Sequence, residues 1–132
     1  MSELTTTIYD LAVIGAGPGG YEAALEAAKL GLRTTLIEKD SLGGTCLNRG
    51  CIPTKTLLHS AELYADICDA ARFGISADHV QADLSGIQEH KQTTIETLQK
   101  GIASLLKAAK VAVYQGVGTV IDTGDSHEKG IK

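Results

Sequence analysis

The stretch Tyr9-Asp10-Leu11-Ala12-Val13-Ile14-Gly15-Ala16-Gly17-Pro18-Gly19-Gly20 decides the fold of this chain. A short apolar run ends in a cluster of glycines, and the alanine-rich segment Tyr21 to Leu30 follows before Gly31. This order reads as strand, glycine turn, helix. Gly15 allows the tight turn, Gly17 lets the backbone approach a pyrophosphate, and Gly20 permits close contact between helix and strand, with the phosphates at the helix N-terminus.

Working outward, Thr34-Thr35-Leu36-Ile37 reads as a second strand ending in Glu38. That is the spacing at which a carboxylate bonds the hydroxyls of an adenosine ribose. An acidic residue there favours a free 2′-hydroxyl and repels a 2′-phosphate, so the adenosine expected is that of FAD or NAD and not of NADP. A solvated charge at a strand end is the plainer alternative.

Downstream lies Gly43-Gly44-Thr45-Cys46-Leu47-Asn48-Arg49-Gly50-Cys51-Ile52-Pro53-Thr54-Lys55. Four residues separate Cys46 from Cys51, enough chain for a helical turn, so the two sulfurs can close into a disulfide. A loop running into a helix is expected, distorted at Pro53, with both cysteines in its first turns. Free N–H groups at a helix start lower a thiol pKa toward the reactive range, and Lys55 adds a nearby positive charge. Inert buried thiols are one alternative and half a zinc site another. Zinc needs about four ligands, and only Cys68 and the scattered His59, His79, His90 and His127 remain to supply them. Cys68 reads as a small packed side chain, and His59 as a packed or partly exposed residue of a helix.

Together the two motifs resemble the N-terminal part of the pyridine nucleotide–disulfide oxidoreductases, a flavoprotein family, over about Tyr9 to Asp122. Within the family the cysteine stretch looks most like the dihydrolipoamide dehydrogenase branch, whose usual form is C-L-N-x-G-C-I-P-[ST]-K. Glutathione and mercuric reductases more often carry Val at the positions of Leu47 and Ile52. Arg49 departs from the commoner Val, and Thr54 from the commoner Ser. The resemblance implies that Cys46 is the interchange thiol, Cys51 the charge-transfer thiol beside the flavin, and Lys55 a neighbour of the flavin N5 edge. It implies further that Glu38 holds the adenosine ribose while Gly15, Gly17, Gly20, Gly43, Gly44, Thr45 and Gly118 line the FAD path.

The same resemblance places residues 1–132 as the N-terminal part of an FAD-binding domain and the chain as a fragment of a longer enzyme. Its nicotinamide domain, which would take NAD, and its interface domain are not in this sequence. The implied parent is a homodimer that acts on a lipoyl domain or a small disulfide. The fold class expected is α/β, a partial Rossmann-like domain with a glycine-rich βαβ unit plus a long antiparallel helical pair. Open sheet edges and helix faces would favour self-association. A non-catalytic nucleotide-binding or interaction module is the rival function, but such a module has no need of two reactive thiols.

The helical pair is read from periodicity. Leu57, Leu58, Ala61, Tyr64, Ala65, Cys68 and Ala71 recur at helical spacing from Thr54 to Phe73, and Gly74 ends that element. Asp83 or Ser85 can cap a second helix over Leu84 to Lys110, with Ile87, Lys91, Ile95, Leu98, Ile102, Leu105 and Leu106 along one stripe. Gly101 and a short heptad span count against a coiled coil. Val111–Tyr114 and Thr119–Ile121 read as strands, and Asp122 to Lys132 as a frayed polar tail.

Bulk properties exclude several classes. A net charge of −4 gives no basic footprint for nucleic acid. No apolar run is long enough to span a membrane. The segment Met1 to Ile8 lacks the pattern of a secretion signal, so a cytoplasmic setting is expected. In that reducing compartment a closely spaced cysteine pair is more often catalytic than structural.

Overall fold

A computed structural model of the chain describes residues 7–124 and 129–132. The reading of a missing secretion signal rests largely on residues 1–6, and His127 is likewise outside the described residues. By its internal contacts the chain divides into two units, one of residues 1–44 with 100–132 and one of residues 45–99.

The first unit is built on a parallel sheet. Strand β1 (Leu11–Ile14) runs into the glycine turn, helix α1 (Pro18–Lys29) follows, and strand β2 (Thr34–Glu38) returns beside β1. The two strands pair in parallel, Leu11 opposite Thr34 and Ile14 opposite Ile37. Strand β3 (Ala112–Gln115) adds on the far side of β2, giving the order β1-β2-β3. Central β2 is buried along its whole length, as a strand flanked on both sides must be, and this is why Thr34 and Thr35 lie inside. The Thr35 hydroxyl answers its burial by donating to the Ala112 carbonyl at 2.9 Å.

Helix α1 starts at Gly17 with Pro18 in its first turn, where a missing N–H costs nothing. Its Ala24, Leu25 and Ala27 are buried, and it packs on β1 and β2. Gly31, in the left-handed conformation at φ 88°, turns the chain back toward β2. Residues 100–108 of helix α4 (Leu84–Ala108) contribute buried Ile102 and Leu106 to the same unit, and Val111 follows them inside.

Beyond Asp122 the expected frayed tail is in part ordered. Strands β4 (Val120–Asp122) and β5 (Lys129–Ile131) form an antiparallel pair, because Val120, Ile121 and Ile131 supply apolar positions among the polar residues.

The second unit is helical. It holds most of the short helix α2 (Gly44–Arg49), helix α3 (Cys51–Cys68), a 3-10 turn at Ala70–Phe73, and α4 as far as Gln99. Three expectations are corrected here. The single helix expected to carry both cysteines in its first turns and to be distorted at Pro53 is instead two: Cys46 lies on α2, and α3 begins at Cys51, which puts Pro53 in its first turn, where a proline needs no distortion. The break falls one step earlier, at Gly50, with φ −128° and ψ −108°. The element also stops at Cys68, and Gly74, at φ 75°, closes a separate 3-10 turn.

Asp83 caps α4 as read from the sequence: its carboxylate accepts from the backbone N–H groups of Ser85 at 3.0 Å and Gly86 at 3.1 Å. Both long helices are present, yet α3 has no buried residue, so the apolar stripe expected to be covered by its partner is open. Its Leu58, Leu63 and Tyr64 are exposed. On α4 the stripe is real but narrower than expected: Ile95, Ile102 and Leu106 are buried, whereas Leu98 and Leu105 are exposed.

Candidate functional site

In the first unit the chain gathers its glycines at the carboxyl ends of β1 and β2. Gly15, at φ 99°, donates its N–H to the Ile37 carbonyl at 2.7 Å, which carries the sheet pairing into the turn. Gly20 has no room for a side chain, because a Cβ there would run into the Gly15 carbonyl. Gly44, at φ 66°, is pressed against Gly17, and a Cβ on it would lie 2.7 Å from the Gly17 Cα. The Gly43 N–H reaches the Ala16 carbonyl at 2.8 Å, so Gly43 and Gly44 sit beside the turn they follow by many residues. Gly118 packs against Ile14 and Ile37, where a Cβ would come within 3.2 Å of Ile37. Gly116 donates to the Glu38 backbone carbonyl at 2.8 Å.

Gly17 differs from these. A Cβ on it would meet the chain only at 4.0 Å, an ordinary contact, and its φ of −67° suits any residue. Among the described residues nothing crowds a side chain there. The N-terminus of α1 above it has neither a side-chain cap nor an acidic residue in its first turn. A bare, electropositive helix start beside an unfilled Cβ position is the cradle that a pyrophosphate fits.

Glu38 is buried, and its carboxylate is held by backbone N–H groups from two sides. One carboxylate oxygen accepts the Ala16 N–H at 2.6 Å and the other the Asp40 N–H at 2.8 Å. Burial pushes this carboxyl up, but the N–H groups of Ala16, Asp40 and Lys39, with the Lys39 charge, outweigh it and hold it below its ordinary value. A carboxylate has about four lone-pair sites, so acceptor capacity remains for a further donor. Nothing in the sequence points to the Ala16 bond, since backbone donors leave no side-chain signature.

In the second unit Cys46, on α2, and Cys51, the first residue of α3, form a disulfide with their Cα atoms 4.8 Å apart. The two cysteines therefore sit on consecutive helices with Gly50 between them. A Cβ on Gly50 would lie 3.2 Å from the Thr45 carbonyl and 3.3 Å from the Cys46 Cα, so this glycine lets the chain fold tightly enough to join the sulfurs. Cys51 stands at the positive end of α3, whose first turn carries no acidic residue, and Lys55 follows it one turn on. Thr45 and Lys55 are exposed and Cys46 is half-buried.

Asn48, inside the loop that the disulfide closes, accepts a hydrogen bond from Gln99 Nε2 at 2.6 Å, a pairing the sequence reading did not find. Cys68 is corrected: it is a free and exposed cysteine, not a packed one. His59 is exposed on α3. Among the described residues no group of three or more His, Cys, Asp or Glu is placed to hold a metal ion. No described helix is long and apolar enough to cross a membrane.

A parallel βαβ unit with this glycine turn, followed in sequence by a disulfide across a helix start, defines a class, and comparison with known proteins agrees. Residues 9–132 match the family model of the pyridine nucleotide-disulphide oxidoreductases, and the chain belongs to that family. Within it the chain is 44% identical over 115 residues to a dihydrolipoyl dehydrogenase of Bacillus subtilis, covering 87% of this chain and 24% of that protein. It is 47% identical over 118 residues to the leghemoglobin reductase of Vigna unguiculata, covering 88% of this chain and 23% of the relative. The crystal structure of LpdA from Mycobacterium tuberculosis superposes with a TM-score of 0.76 at 32% identity, over 86% of this chain and 25% of that one. The chain thus spans about a quarter of the length of the relatives it matches.

Proposed function

We propose that this segment carries the FAD-binding turn and the redox disulfide of a dihydrolipoyl dehydrogenase, which oxidises dihydrolipoamide and reduces NAD+. The observation that carries this reading is the Cys46–Cys51 disulfide closed across Gly50 in a member of this family. Bound FAD supplies a two-electron carrier between the dithiol and the nicotinamide nucleotide. Gly15, Gly17 and Gly20 form the cradle for its pyrophosphate, Gly43, Gly44, Thr45 and Gly118 line its path, and Glu38 accepts from the adenosine ribose. Lys55 is assigned to the flavin N5 edge and Cys51 to the flavin side of the disulfide.

Cys46 serves as the interchange thiol, the sulfur that exchanges with the lipoyl group. For turnover in this direction, a dihydrolipoyl thiolate attacks the Cys46 sulfur of the disulfide and expels Cys51 as a thiolate. The second lipoyl thiol then displaces Cys46, leaving oxidised lipoamide and a reduced cysteine pair. The start of α3 and the charge of Lys55 favour Cys51 as the leaving thiolate. Glutathione or mercuric reduction is the alternative within the family, and Leu47 and Ile52 favour the lipoyl substrate.

The test uses a protein of the relatives' full length that carries this segment. Cys46→Ser should abolish lipoamide turnover while the flavin stays bound, and Cys51→Ser should in addition remove the long-wavelength absorption that a thiolate gives beside a flavin. Near-normal turnover by Cys46→Ser would overturn the assignment. The 132-residue chain alone should hold FAD weakly and turn over no lipoamide; robust flavin absorbance with NADH-dependent lipoamide reduction would contradict that.

A further inference from the structure

Helix α4 carries an amide where its pattern calls for an aliphatic side chain. Ile95, Ile102 and Leu106 are its buried positions, and Gln99 is half-buried between them, one turn beyond Ile95. A polar group in such a place needs a partner. Gln99 finds it in Asn48, which is 51 residues away and lies between the two cysteines. The bond is 2.6 Å long and partly buried, so water competes with it less than at an exposed site. Leu47, next to Asn48, is buried and fixes the same loop from its apolar side.

We propose that Gln99 is a positioning residue for the redox pair: by holding Asn48 it keeps the loop from Cys46 to Cys51 in its closed form and so favours the disulfide over the dithiol. This rests on the redox role assigned above. The physical ground is linkage. The hydrogen bond is made by the loop as the disulfide closes it, and on this proposal reduction lets the loop rearrange and weakens the bond. An interaction made in one redox state and weakened in the other must move the equilibrium between them. Gln99 acts through Asn48, to which its side chain donates.

The experiment equilibrates the oxidised 132-residue chain with dithiothreitol at graded ratios to its oxidised form. The Cys46–Cys51 bond takes two electrons and two protons, and dithiothreitol closes to its own cyclic disulfide. Free thiols are then trapped by alkylation and counted by mass. Gln99→Leu should raise the equilibrium constant for reduction about fivefold, as expected for the loss of one net hydrogen bond. That is about 20 mV at about 29.6 mV per tenfold change. Gln99→Glu, whose carboxylate can accept from the Asn48 amide once that group turns over, should return the constant to within about twofold of the starting protein. Gln99→Ala removes the side chain without adding bulk and should give the same shift as Leu if the Leu variant fails to fold. Gln92→Leu, which removes an exposed bond to Glu96 on the same helix, should leave the constant unmoved.

Thermal melts of both redox states complete the test. A redox role lowers the oxidised melt more than the reduced one. Equal losses in the two states, with an unmoved constant, would show Gln99 to be merely structural and overturn the inference. A starting protein whose cysteines form no reversible disulfide would instead sink the proposed function, so the two failures are distinct.

Discussion

Strand β2 buries all five of its residues, whereas helix α3 buries none of its eighteen. The first belongs to the unit that holds the glycine turn and the second to the unit that holds the cysteines. Around the glycine turn the chain supplies nearly everything itself: sheet partners on both sides of β2, a helix over it, and backbone donors for Glu38. Around α3 it supplies a disulfide, a short loop and an apolar surface left open. Nucleotide turns depend on backbone geometry, which a local βαβ unit can fix. On the function proposed above, the cysteine pair would meet both a carrier and a substrate, and this chain spans only about a quarter of its relatives' length.

The largest expected effect tests whether the turn is fixed by packing within the chain. Gly20→Ala drives a methyl group into the Gly15 carbonyl and should cost about 3 kcal/mol in a denaturant melt. Gly17→Ala is its control. It meets no clash and should cost under about 1 kcal/mol, most of it from a poorer helix cap, while still filling the cradle that a pyrophosphate would use. Equal losses at the two positions would mean that Gly17 is a packing residue and would weaken the case for an anion there.

Glu38 is the next step down. Replacing it by Gln sets an amide donor against the Ala16 or Asp40 N–H and should cost about 2 kcal/mol at neutral pH, the range for a hydrogen bond to a charged group. The pH dependence sharpens this. The folded carboxyl titrates below its ordinary value, so the unfolded chain binds more protons in the interval between the two. The stabilisation is complete above about pH 4.3, the ordinary glutamate value, and is lost as pH falls through the lower folded value. The amide of the Glu38→Gln variant has no such titration, and the gap between the two proteins should narrow under acid. A gap that stays constant down to the lowest pH at which both fold would show that the charge of Glu38 is not what holds the turn.

How much of this was legible in the sequence follows the same division. Gly15, Gly20 and Glu38 were readable because a βαβ turn imposes fixed spacings on glycine and carboxylate, and the structure brings them to one place. β3 was readable as a strand, but its seat beside β2 was not, since the pairing of Thr35 with Ala112 spans a long helical crossover that spacing does not encode. On the cysteine side, periodicity placed both long helices but overstated their packing. Leu58, Ala61 and Tyr64 keep a helical rhythm whether or not this chain covers them. Pro53 suggested a distortion because one helix was expected to run through both cysteines, whereas α3 starts only at Cys51. Gln99 and Asn48 could have been suspected only from a polar residue interrupting the α4 stripe.

The smallest expected effect is the one that breaks the comparison if it comes out large. Leu58 and Leu63 are more than half exposed on α3, so exchanging either for Lys removes little buried area. Lys is nearly as good a helix former as Leu, which leaves no backbone penalty. Each variant should therefore melt within about 0.5 kcal/mol of the starting chain. Ile95 in the same unit gives the contrast: it is 5% exposed, and Ile95→Ala should cost about 2–5 kcal/mol through the cavity it leaves. A loss of about 2 kcal/mol or more at Leu58 or Leu63, well above the range for an exposed substitution, would mean that the chain does cover α3. The cysteine unit would then be as self-sufficient as the glycine turn, and the contrast between them would disappear.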